Sequence, residues 1–188
     1  MLVATDDEVN GDAEGALLYV KEEWMTTEPR IEERAEQPYV GIRTSSAMRD
    51  LPTVIPQTLG ELFAWCGERG VTPAAAPFIR YHVIDMEDTL DIELGVPTAT
   101  ALPGEGRVAA GVLPAGRYAT LVYTDVTRGI PANKALLDWG AAQGLVWDRW
   151  ETERGDGFGA RLESFLTRPE DEPDPAKWET QVAIRLAS

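Results

Sequence analysis

The chain has 188 residues, 44% of them hydrophobic, with one cysteine, one histidine and a net charge of −15; that length and apolar content suit one substantial core. Cys66 and His82, each alone, exclude an intrachain disulfide and a Cys/His zinc site, and nothing implies a cofactor. The acidity, with no Lys/Arg cluster interleaved with aromatics, opposes direct binding to nucleic acid and makes a cationic small molecule the better partner.

Residues 1–24 hold Asp6, Asp7, Glu8, Asp12, Glu14, Glu22 and Glu23 against Lys21, so −6 of the −15 lies there. Their periodicity is weak, and they are expected to be a poorly ordered acidic leader, or to precede a natural start at Met25. The segment lacks the basic-then-apolar pattern of a signal peptide, and no apolar run nears the roughly 20 residues a membrane helix needs. A cytoplasmic protein without a membrane partner is expected. Residues 25–188 then form one domain, with halves at about 28–98 and 105–187.

After Met25, "RIEERAEQPYVGIRTSS" has extended character around a Gln-Pro break, which predicts one strand bent or interrupted near Pro38. "LPTVIPQTLGELFAWCGERGV" predicts a helix capped by Thr58, with apolar Leu59, Leu62, Phe63 and Cys66, and stopped at Gly70. "FIRYHVID" and "LDIELGVPT" follow as strands around the polar turn "MEDT". "GRVAAGVLPAGRYATLVYTD" predicts two strands reversing tightly at "PAG". "IPANKALLDWGAAQGLV" is again a helix ended by glycine, and "ARLESFLT" and "ETQVAIRLA" are the last two strands.

Each half therefore reads strand, helix, strand, strand. "LFAWCGERGV" at 62–71 also lies over "LLDWGAAQGL" at 136–145, with Leu, Trp and the closing Gly in register and Ile-Pro before each helix. The expected fold is α+β: tandem duplicated βαββ units of the SHS2-like kind, antiparallel sheet, both helices on one face and a central ligand groove. "IRYHV" then superposes on "RLESF", so Tyr81 occupies the position in the first half that Glu163 occupies in the second.

These residues resemble the GyrI-like, or AraC-type, effector-binding domains, which also form the drug-sensing part of some MerR-type activators. The likeness rests on "RYHVID…LDIELGVP" at 80–97, "LPAGRYATLVYTD" at 113–125, "LLDWGAAQGL", and "DPAKWETQVAIRLA" at 174–187, and covers roughly residues 28–187. It implies a groove for flat, apolar, often cationic compounds, with a glutamate of the penultimate strand among aromatic rings and an aromatic fifteen residues later. Glu163 and Trp178 have that spacing. The chain lacks the regulators' helix-turn-helix pattern, so a stand-alone binder is expected rather than a direct transcription factor.

A carboxylate among aromatic rings either takes a proton or pairs with a cation, and a planar cation stacked on Trp or Tyr gains about 0.5–2 kcal/mol per ring. The competing reading leaves Glu163 on a solvated sheet face, paired with Arg161 or Arg185. Further groove residues are expected to be Tyr81, Phe165 beside Glu163, Glu93 on a polar strand face, one of Tyr118 and Tyr123, which point to opposite faces of one strand, and Trp147 near the exit of the second helix. His82 faces away from Tyr81 and is read as structural, and Trp65 and Trp139 as helix-to-sheet packing.

The leading expectation is a non-enzymatic binder that sequesters or senses planar, apolar or cationic drugs or toxins. One alternative is a hydrolase that opens strained electrophilic rings of DNA-alkylating natural products, with Glu163 as general base and Tyr81 as hydrogen-bond donor. Another is a protein–protein role modulating DNA gyrase through an acidic surface.

Overall fold

The structure, a computed structural model, describes residues 27–85 and 88–188. The expected acidic leader and the start at Met25 lie outside the described residues. Ten strands and two helices follow in the order β1 (Arg30–Arg34), β2 (Gln37–Ser46), α1 (Leu51–Glu68), β3 (Phe78–Ile84), β4 (Leu90–Pro97), β5 (Ala109–Leu113), β6 (Gly116–Thr124), α2 (Gly129–Ala142), β7 (Arg149–Thr152), β8 (Gly155–Phe158), β9 (Arg161–Phe165) and β10 (Glu179–Arg185). The strands join one antiparallel sheet in the order β1-β6-β10-β9-β3-β4-β2-β5, with β8 pairing β3 and β7 pairing β8. Among the described residues no helix is long and apolar enough to cross a membrane.

The halves β2-α1-β3-β4 and β6-α2-β9-β10 meet where β3 pairs β9, with Ile79 opposite Glu163 and Arg80 opposite Leu162. The helices end alike. Gly70 and Gly144 take φ of 64° and 67°, a conformation that costs glycine nothing. The next amides, of Val71 and Leu145, then donate back to the carbonyls of Cys66 and Gly140 at 2.9 Å.

Several local expectations need correction. Thr58 does not cap α1; the helix begins at Leu51, runs through Pro56, and buries Thr58 on one face with Leu51, Leu62 and Cys66. Pro52 lies in the first turn, where a missing N–H matters least, and Pro56 forfeits only a bond back to that same turn. The strand around Pro38 is two strands, broken at residues 35–36, and they part to opposite ends of the sheet: β1 pairs β6 while β2 pairs β4 and β5.

"PAG" is likewise no hairpin, because β5 pairs β2 and β6 pairs β1 and β10. The crossover is pinned instead by the Tyr118 hydroxyl, which donates to the Pro114 carbonyl at 2.7 Å, and by Arg185 Nε, which donates to the Ala115 carbonyl at 3.1 Å. The β7–β8 hairpin had no counterpart in the sequence reading. It turns at Gly155, whose φ is 119°.

Helix α1 packs on β4 and β2, and α2 on β6 and β10, all on one face of the sheet. Leu62 of α1 with Leu94 and Ile42 beneath that helix, and Leu136 of α2 with Leu121 and Ile184 beneath it, are fully buried, each worth roughly 1.5–3 kcal/mol. The middle strands β3 and β9 lie between the strands that carry the two helices. On the other face Tyr39, Phe78, Tyr118, Leu162 and Ala183 form a separate cluster without a helix.

Candidate functional site

Alternation along β9 places Arg161, Glu163 and Phe165 on the helix-bearing face, and the same period in β3 brings Ile79 and Tyr81 beside them. On β6 it is Tyr123 that faces this side. Glu163 is the centre of the cluster. Its Oε1 accepts from Asn133 Nδ2 at 2.8 Å and from the Tyr81 hydroxyl at 3.3 Å, and its Oε2 accepts from the Tyr123 hydroxyl at 3.1 Å. All three donors are neutral, and among the described residues no Lys, Arg or His lies within the 4.0 Å of an ion pair to Glu163.

Gly129, the first residue of α2, sits against this group: a β-carbon there would lie 3.2 Å from the Tyr123 hydroxyl and 3.6 Å from Glu163 Oε2. The positive end of the helix therefore faces the carboxylate and adds to its compensation. Burial and the adjacent Glu163 charge push both phenols, Tyr81 and Tyr123, well above the usual phenol range. They remain protonated donors at any working pH.

Asn133 has a second role. While Nδ2 donates to Glu163 and to the Gly129 carbonyl at 2.9 Å, its Oδ1 accepts from Arg161 Nη2 at 2.8 Å and Nε at 3.3 Å. The guanidinium lies over the Phe158 ring, 4.9 Å from its centre. Burial pulls the Arg161 guanidinium below its usual value, opposed by the nearby Glu163 carboxylate. Neither Asn133 nor Arg161 was assigned a ligand role from sequence. The available signal for Asn133 was an amide at the buried helix spacing shared with Leu136 and Gly140.

The other sequence-chosen residues divide by position. Phe165 packs against Ile79 and Tyr81 in the core beneath α1. Trp178 is half-buried just before β10, and its indole donates to the Glu172 carbonyl at 2.6 Å within the closing loop. Trp147 is packed elsewhere: its ring occupies the space left by Gly140 of α2, and its backbone bridges Leu186.

Tyr118 and Glu93 lie on the opposite face. Tyr118 is committed to Pro114, and Glu93, 6% exposed, accepts from the Tyr39 hydroxyl at 2.8 Å and contacts His82 Nε2 at 2.8 Å. Burial works to raise the Glu93 carboxyl, but the His82 and Tyr39 bonds and nearby Arg80 hold it below its ordinary value. Burial and Glu93 push Tyr39 up to about 12. Arg185, one proposed partner of Glu163, pairs instead with Asp148 at 2.6 Å.

The profile of a family described as the GyrI-like small molecule binding domain matches residues 27–187. The chain belongs to the GyrI-like family. Comparison with curated proteins returns no match to the sequence.

Among solved structures, this GyrI-like chain is similar to the C-terminal domain of EcmrR, with 18% identity over 87% of this chain and 99% of that one and a TM-score of 0.66. It spans 57% of the longer EcmrR chain seen in a DNA complex, at a TM-score of 0.67. A hydrolase from Listeria innocua is similar at 11% identity over 85% of this chain and 92% of that one, with a TM-score of 0.60. SAV2435, solved bound to tetraphenylphosphonium, is similar at 10% identity over 86% and 95%, with a TM-score of 0.51. These likenesses establish a shared fold, an α+β domain with a curled antiparallel sheet and two helices.

Proposed function

We propose that the protein takes planar, apolar or cationic compounds of the drug or toxin class into the cleft between α1 and α2, with Glu163 as counter-charge, for sequestration or sensing. The observation that carries this reading is a carboxylate on the helix-bearing face of the sheet whose hydrogen-bond donors are all neutral. A delocalised cation supplies the charge that three neutral donors do not, and the partly exposed Phe165 offers it cation–π contact. Binding of tetraphenylphosphonium, a tetrahedral aromatic cation, by a protein of the same fold supports the cationic part of that class. Trp178, ahead of β10, is assigned to the rim.

The test is calorimetric titration of tetraphenylphosphonium into wild type and Glu163→Gln. Saturable one-to-one binding is expected, weakened about tenfold by the substitution, which is ~1.4 kcal/mol. Equal affinity in both proteins would remove Glu163 from the reading, and no binding to wild type would remove the cleft.

A hydrolase is the second reading, favoured by one contact: the Tyr81 phenol, held protonated, donates to Glu163 and so stands beside a general base. Product mass after incubation with a cyclopropane-bearing alkylator separates it from binding. Addition of one water, lost in Glu163→Gln, is its required outcome.

A further inference from the structure

Arg161 is a second charged group on the helix-bearing face of β9, two residues from Glu163. The two do not form an ion pair. A single amide stands between them, with Asn133 Nδ2 on Glu163 and Asn133 Oδ1 on Arg161. Among the described residues no carboxylate lies within 4.0 Å of Arg161, and its companions are a neutral oxygen and the Phe158 ring.

A guanidinium has five N–H donors, and a partly buried one is costly unless they and its charge are met. Nε and Nη2 both spend their bonds on one oxygen, while Nη1 has no acceptor among the described residues and is not sealed from solvent. This face thus presents a negative group short of a cation and, one amide away, a positive group short of an acceptor.

We infer that Arg161 sets the specificity of this cleft, and that the ligands it prefers are zwitterions in which a delocalised cation is joined to a carboxylate or similar anionic acceptor. The cation meets Glu163 and the rings, and the acceptor meets the free N–H groups of Arg161 in a charge-assisted bond. This rests on the cleft being the ligand site. It goes further by predicting discrimination that a lone glutamate among aromatics does not give, since Arg161 repels a cation that brings no anion with it.

Rhodamine B, a zwitterion at neutral pH, and its ethyl ester, a plain cation, differ only at the acceptor. Fluorescence titration of both dyes is made on wild type, Arg161→Met, Arg161→Lys and Glu163→Gln. Wild type is expected to bind the acid at least about fivefold more tightly than the ester, in line with one charge-assisted bond. Arg161→Met is expected to abolish or reverse that ratio while ester binding holds or improves, and Arg161→Lys to fall between.

A wild-type ratio at or below one overturns the inference, and does so even where Arg161→Met fails to fold. So does an unchanged ratio in a folded Arg161→Met. In either case, ester binding that still weakens in Glu163→Gln leaves the cleft reading standing. Failure of wild type to bind acid, ester and tetraphenylphosphonium alike overturns both.

Discussion

Two glutamates, Glu163 and Glu93, occupy opposite faces of the same sheet and are handled differently. Glu163 is met by neutral donors and a helix N-terminus, whereas Glu93 is locked among His82, Tyr39 and Arg80. The lowered Glu93 value has a consequence for stability. Because the folded carboxyl titrates below its ordinary 4.5, its ionised form stabilises the fold above that pH, and the contribution is lost as pH falls through the folded value. Glu93→Gln is expected to cost about 1.5–3 kcal/mol at neutral pH and to flatten the acid limb of the stability curve below pH 4.5. Urea unfolding at several pH values measures both. Glutamate and its strand parity are visible in sequence; which face the helices cover is not, because that depends on tertiary packing.

At the scale of elements, the aligned helices differ where Cys66 of α1 matches Gly140 of α2. Cys66 is buried at 2% exposure, while Gly140 leaves its volume to the Trp147 ring. Gly140→Ala puts a methyl into that ring and is expected to destabilise by roughly 1–3 kcal/mol, with a shift in tryptophan emission. Gly60, exposed within α1 with no atom within 4 Å of a built β-carbon, is the control. Gly60→Ala is expected to gain about 0.5–1 kcal/mol through helix propensity. Thermal melts of the two variants should therefore move in opposite directions. The helices, their glycine stops and strands β3, β4, β9 and β10 were legible because each has a strong local period. The β7–β8 hairpin was not, since its residues alternate poorly and it gains order by pairing with β3.

Across the whole molecule, each half closes the other. The strand before β2 pairs with β6, and the strand before β6 pairs with β2, so neither half keeps its own outer strand. Arg34 at the end of β1 lies 5.0 Å over the Tyr118 ring and donates to Gln181 at 2.9 Å, tying this exchange to β6 and β10. Such interlocking predicts one cooperative transition, with far-ultraviolet dichroism and tryptophan fluorescence superimposing through a urea titration. Separate midpoints would indicate independently stable halves. Removing residues through Ala35 strips β1 from β6 and is expected to lower the midpoint of the single transition rather than split it.

The sequence alone determined the two helices, strands β3, β4, β9 and β10, and the family. These are properties of local period and spacing, written in contiguous residues. Only the tertiary structure decided that Asn133 stands between Glu163 and Arg161, that Tyr123 rather than Tyr118 faces the helices, and that the outer strands are exchanged. Each of those depends on which distant segments share an edge or a face. An amide on α2 and a guanidinium on β9 are separated by 28 residues, and no local pattern brings them together.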